Sequence, residues 1–212
     1  MIYDISPPLT SRIAVWPGDT PLSREVLLEI GRPQESSKIV SNITLSTLRA
    51  TVHLGAHADA PSHYGADAPA IHERNLDYYL GPCQVVRVAV PRATRVTPDM
   101  LPQPVRAERV LIATGTFPDP ERFNTDFAAL DPELVRRLHE QGVKLIGIDT
   151  PSVDLFDSKD LPSHRMFLKR DMAILEGLVL NDVPEGIYEL IALPLKLVGF
   201  DASPVRAVLR SM

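Results

Sequence analysis

His53, His57, Asp59 and His63 fall within eleven positions of a chain that has six histidines. Neutral imidazole and carboxylate are the principal nitrogen and oxygen ligands of first-row metal ions. Crowding them into HLGAHADAPSHY is costly unless something pairs with them, since unpartnered polar groups are expensive to bury. Spacing limits how they can meet. His53 and His57, four apart, would align on a helix, but Thr51, Val52, Gly55 and Pro61 disfavour one. In a straight strand four residues span about 13 Å, too far for two rings to share an ion. Gly55 lies midway and can take backbone angles closed to other residues, so it can fold the segment sharply. His57 and Asp59, two apart, share a face even when extended. A bent loop after an apolar strand therefore gathers His53, His57 and Asp59 around a cation. Structural zinc sites are usually closed by cysteines, and Cys83 is the one cysteine. An all nitrogen and oxygen set with open positions is the catalytic pattern.

The elements that position this cluster read as mixed α and β, with strands in excess. Strands are predicted over 24–30, 42–52, 84–90, 109–115, 143–149 and 187–195, from apolar and β-branched runs bounded by turn residues. Pro194 makes the last an edge or an ending. A helix is predicted over 131–142, with Asp131 as its cap, Pro132 in the first turn and Gly142 at the exit. Leu134, Val135 and Leu138 place one face on a sheet. A second helix is predicted over 163–172 with Ser163 as its cap. The twenty prolines are scattered as loop punctuation, and no repeat divides the chain, so residues 1–212 read as one domain.

The bulk properties exclude several classes. A net charge of -5 argues against a general nucleic-acid or anionic-membrane surface. No apolar run reaches membrane-spanning length, and the N-terminus lacks the pattern of a signal peptide. One cysteine cannot form an internal disulfide, which suits the cytoplasm. Cys83 itself reads as a buried small hydrophobe, and His72 and His139 as ordinary side chains. The acidic run 149–160 fails the EF-hand template at its glycine and final positions and reads as a solvated loop. Nucleotide-binding and serine-hydrolase motifs are absent.

The stretch 53–63 resembles the metal-binding motif H-x-G-[TA]-H-x-D-x-P-x-H of the cyclase family of metal-dependent hydrolases, with Ala56 where many members carry threonine. YDISPPLTSRIAVWPGDTP (3–21) is similar to the start of one branch, the bacterial kynurenine formamidases. GIDTPSVDLFDSKDLPSH (147–164) and the segment 174–209 extend the likeness over almost the whole chain. The resemblance implies a swivelling β/β/α fold, a homodimer and two zinc ions per subunit, with manganese or cobalt as alternatives. His53, His57 and Asp59 would hold the first ion, Asp59 would reach the second, His164 would bind the second, and Glu176 would approach both. His63 would be the general acid and base, and Trp16 would lie against the substrate's aromatic ring. The implied reaction is hydrolysis of N-formyl-L-kynurenine to L-kynurenine and formate. The competing expectations are another amidase or cyclic-amide hydrolase of the family, or a metal-binding module without catalysis. The residues alone support part of this. Glu176 sits among Ile174, Leu175, Leu178 and Val179, where a carboxylate needs a partner such as a cation. Trp16 lies in a Pro-Gly turn away from any apolar run, which favours a binding role.

Overall fold

The computed structural model describes residues 1–33, 40–101 and 104–212. Along the chain run β1 (Ile2–Asp4), β2 (Ser23–Leu28), β3 (Leu45–Arg49), β4 (His57–Asp59), β5 (Leu80–Arg87), β6 (Arg95–Val96) and β7 (Arg109–Ala113). They are followed by β8 (Ala129–Leu130), α1 (Pro132–Glu140), β9 (Leu145–Ile148), α2 (Pro162–Arg170), β10 (Ala173–Glu176), β11 (Gly186–Ile191), β12 (Ala202–Pro204) and β13 (Val208–Ser211). Nine strands form one sheet in the order β1-β13-β11-β5-β7-β9-β10-β4-β12. Its centre, β5-β7-β9-β10, is parallel, and both flanks are antiparallel. The mixed, strand-rich expectation holds.

The central strands are apolar because both of their faces are covered. Every residue of β7 and β9 is buried. On one face Val110, Ile112, Ile146, Ile148 and Ile174 pack with Leu134, Val135 and Leu138 of α1 and Phe167 of α2. Each such side chain contributes roughly 1.5–3 kcal/mol by leaving water. On the other face Leu111, Leu145 and Leu175 share a core with Ala58, Cys83, Leu190 and Leu209 from both flanks, so the sheet curls around it. Cys83 is a buried hydrophobe as expected, and burial pushes its thiol pKa up.

The helices differ in how they begin. Asp131 caps α1, its side chain accepting from Glu133 N, a contact worth about 1 kcal/mol. Ser163 does not cap α2: it lies inside the helix, and its hydroxyl donates to Leu130 O. The cap comes from Asp154, whose carboxylate accepts from the backbone N–H groups of Ser163 and His164. A carboxylate at a helix N-terminus is favoured by the helix dipole as well as by the orphaned amides.

The strand expected over 42–52 is shorter and lies outside the main sheet. β2 and β3 form a separate two-stranded ribbon, with all of β3 exposed and Leu48 at 68% exposure. The strand expected over 187–195 ends at Ile191, before Pro194, and is interior rather than an edge. No helix among the described residues is long and apolar enough to cross a membrane.

Candidate metal centre and active site

Three adjacent strands build the floor of the site. β4 pairs with β10 so that His57 lies opposite Glu176, and with β12 so that Asp59 lies opposite Ala202. Alternation turns Ala58 and Leu175 into the curled core and leaves His57, Asp59 and Glu176 on the other face. His164, on the first turn of α2, descends onto the same face. All four side chains are buried.

The turn before β4 requires its glycine. Gly55 has φ +56, and a Cβ there would meet Leu9 at 2.8 Å and Pro7 at 3.0 Å. Opposite it, a Cβ on Gly177 would lie 2.1 Å from Gly55 O, so the two backbones touch where no side chain fits. The sharp fold brings the rings of His53 and His57 to 5.1 Å between centroids, which a straight strand forbids.

The geometry is that of converging ligands. His57 Nδ1 donates to Gly55 O at 2.8 Å, leaving Nε2 to face Glu176 Oε2 at 3.3 Å and Asp59 Oδ1 at 3.5 Å. His164 Nδ1 lies 2.9 Å from Asp154 Oδ2, so its Nε2 faces Asp59 Oδ2 at 3.6 Å and Glu176 Oε1 at 3.7 Å. His53 Nδ1 lies 3.0 Å from Asp59 Oδ1. Yet both Asp59 oxygens are buried without a hydrogen-bond partner. The imidazole nitrogens of His53, His57 and His164 face that carboxylate at 3.0–3.6 Å without an aligned hydrogen bond, and a cation among them would satisfy both oxygens. His53, His57 and Asp59 fall within ligand distance of one another, as do Asp59, His63 and His164. The residues present therefore fit a metal ion.

The electrostatics agree. Burial opposes charge on His53, but Asp59 and Asp201 outweigh it and raise its pKa to about 9. Burial likewise opposes charge on His164, and Asp154, Asp59 and Glu176 raise it to about 10. Burial would raise Asp59, yet the imidazoles of His164, His53 and His57 hold it well below the ordinary carboxylate range. The pocket demands positive charge.

Two residues escaped the sequence reading. Asp154 belongs to the run taken as a solvated loop, yet it is fully buried along with Val153, and Asp149 is 5% exposed. Asp154 receives Arg95 Nη1 at 2.7 Å as well as the amides of α2. Burial opposes its charge, but His164 and Arg95 lower its pKa to about 2. Only the far part of the run, at Asp157 and Asp160, is exposed. Asp201, just before β12, lies 3.0 Å from His53 Nε2 and 3.3 Å from His63 Nδ1. Neither has a motif to reveal it: Arg95 reaches Asp154 from 59 residues away, and the partners of Asp201 lie more than 130 residues back.

Above the floor opens a cavity of about 620 Å³, lined by His53, His57, His63, His164 and Glu176 among others. Trp16, Phe117, Phe123 and Phe200 also line it. Trp16 stands 5.5 Å from Phe123 and 5.1 Å from Phe156 between ring centroids. Asp149 anchors the strand end that leads into Phe117, accepting from Thr114 Oγ1 at 2.7 Å and from Gly115 N at 2.8 Å. Burial raises the pKa of Asp149 despite these bonds. His63 sits at the mouth, at the end of the short turn Pro61–His63.

Residues 3–155 match the family described as Putative cyclase, and the chain belongs to that family. The chain is 43% identical over its full length to the kynurenine formamidase of Bordetella petrii, 98% of which is covered. A solved structure described as a potential metal-dependent hydrolase with cyclase activity shares 27% identity, with a TM-score of 0.81 over 99% of this chain and 96% of that one. Isatin hydrolase A of Labrenzia aggregata, at 22% identity, shares the fold with a TM-score of 0.80 over 99% of this chain and 93% of its own.

Proposed function

We propose that the chain hydrolyses N-formyl-L-kynurenine to L-kynurenine and formate in tryptophan degradation. The observation that carries this is the unsatisfied carboxylate of Asp59 at the base of an aromatic-walled cavity. The 43% identical formamidase supplies the substrate class. His53, His57, Asp59, His164 and Glu176 would hold two zinc ions, with manganese or cobalt as alternatives. Two ions are favoured because each carboxylate turns one oxygen toward His57 and the other toward His164. When bound, such ions supply Lewis-acid polarisation of the formyl carbonyl and an acidified water.

The chain's own groups do the rest. Trp16 and the phenylalanines beside it hold the aniline ring by edge and face contacts and exclude water from it. The formyl group, the smallest acyl group, reaches the floor. Water's oxygen joins the formyl carbon as His63 takes the proton water gives up, and when the carbon–nitrogen bond breaks His63 passes that proton to the departing aniline nitrogen. The buried floor fixes the ligands, while His63 at the mouth is free to exchange protons.

We further propose a homodimer. The ribbon β2–β3 exposes Leu27, Leu45 and Leu48, and Ile43 just before β3 is 56% exposed; apolar side chains left in water are surface for a second copy to cover. Residues 1–212 are read as one domain, since β1 pairs with β13 and ties both ends into the sheet. Cytoplasmic residence belongs to the same proposal.

The test is metal analysis with hydrolysis of formylkynurenine, other anilides and cyclic amides, before and after chelation. The proposal expects formylkynurenine to be the best substrate, with turnover lost on chelation and restored by zinc. A preferred cyclic amide would move the assignment to another hydrolase of the family. Absence of metal-dependent hydrolysis would favour a binding module.

A further inference from the structure

We infer that Asp201 is a positioning residue that fixes the tautomer and direction of His63. The inference rests on the hydrolase reading above, in which His63 protonates the leaving nitrogen.

Asp201 is held from two sides. Its carbonyl accepts from Ala60 N at 2.8 Å, and the next residue, Ala202, opens β12 opposite Asp59. The main chain of His63 is tied to the same place, its N–H donating to Ala60 O at 3.0 Å. Acid and base are thus mounted on one backbone junction. From there Asp201 Oδ2 faces two imidazoles, His53 Nε2 at 3.0 Å and His63 Nδ1 at 3.3 Å. The two rings lie 4.2 Å apart between centroids.

A histidine that exchanges protons must present one nitrogen, and the bond made by the other decides which. With Nδ1–H donated to Asp201, His63 is left with Nε2 as its exchanging atom. A ring nitrogen of His63 lies within 4.8 Å of both an Asp59 oxygen and a His164 nitrogen, so the ring reaches the floor. His63 is 35% exposed at the mouth, and contact with the His53 ring holds its plane without deciding which nitrogen carries the proton. The bond to Asp201 adds the choice of ring nitrogen, the logic by which an aspartate orients a catalytic histidine elsewhere.

The test compares Asp201→Ala, Asp201→Asn and wild type, each loaded with zinc and checked for metal stoichiometry. In Asp201→Ala, kcat on formylkynurenine should fall about 100-fold while KM stays within about twofold, the range of a lost acid–base contribution. Asp201→Asn keeps the size but can turn its N–H toward Nδ1 and favour the opposite tautomer, so the loss should persist in it. On an aryl formate ester, whose phenolate leaves without a proton, the Asp201→Ala deficit should shrink to about fivefold. An equal deficit on ester and amide would overturn the inference in favour of a merely structural role. The second readout needs no turnover. Side-chain nitrogen spectra, with His63 assigned from the His63→Ala spectrum, should show the Nδ1–H tautomer in wild type and its loss in Asp201→Ala. An unchanged tautomer would overturn the inference. Wild-type protein inactive on every formyl substrate would refute the hydrolase reading instead, and the spectra would still decide the role of Asp201.

Discussion

The floor and the mouth of the site are built from the same kinds of side chain and do different work. On the floor, His57, Asp59, Glu176 and His164 are each at most 3% exposed and come from regular elements. At the mouth, the His53, His63 and Asp201 side chains are 17%, 35% and 46% exposed and come from loops or a short turn. Burial makes the difference chemical. In the floor a buried carboxylate is costly without a partner, and a cation would be that partner. At the mouth the same groups are more open to solvent, and His53 links the two regions by facing both Asp59 and Asp201 at 3.0 Å.

That division can be broken by mutation. The largest effect belongs to Asp59→Ala, which removes the carboxylate facing both His57 and His164. Metal content should fall to background and turnover below about one-thousandth of wild type. A variant that keeps both would show that the floor does not hold the ion. His63→Ala should lower kcat by about 10²–10⁴ while leaving metal content unchanged. Wild-type turnover in it would remove His63 from the reaction, and lost metal would move it from the mouth to the ligand set. Asp154→Asn acts through His164 Nδ1 and should weaken metal affinity by about 10–100-fold, measured by competition with a chelator. Trp16→Ala should mainly raise KM, by about 2–13-fold if the ring contact is worth about 0.5–1.5 kcal/mol. An unchanged KM would place the aromatic ring elsewhere.

The smallest signal is calorimetric. Without metal, His53 and His164 have pKa values of about 9 and about 10, both raised, so at pH 8 both carry protons. Ligands must be neutral, so binding at that pH should release about two protons, read from heats in buffers of different ionisation enthalpy. Release should decline as pH rises through those values. No proton release would mean that these imidazoles are not ligands.

The sequence exposed the floor unevenly. The cluster His53, His57 and Asp59 was legible because three candidate ligands and a glycine sit within seven positions, and Gly55 does turn the chain as expected. Glu176 was legible because a carboxylate among aliphatic residues needs a partner. Helix α1 was readable from Asp131, Pro132 and its apolar spacing. Asp154 was misread because its composition is that of a solvated loop, and its burial arises only where Arg95 and the first turn of α2 close over it. The cap of α2 was misassigned to Ser163 for the same reason, since the true cap arrives from nine residues earlier. Asp201 had no signal at all, because β12 is three residues long and its partner strand lies far back in the chain. β3 read as a strand, but alternation could not tell that its apolar side chains face outward.

If strands β4 and β10 and helix α2 assemble one buried site for metal, the ions must lie between their side chains. Anomalous diffraction at the zinc absorption edge, from crystals of the zinc-loaded protein, tests it most directly. Two peaks between the Asp59 and Glu176 carboxylates, one toward His57 and one toward His164, are the predicted result. Zinc bound only at surface residues, with the Asp59 oxygens still unoccupied, would contradict it.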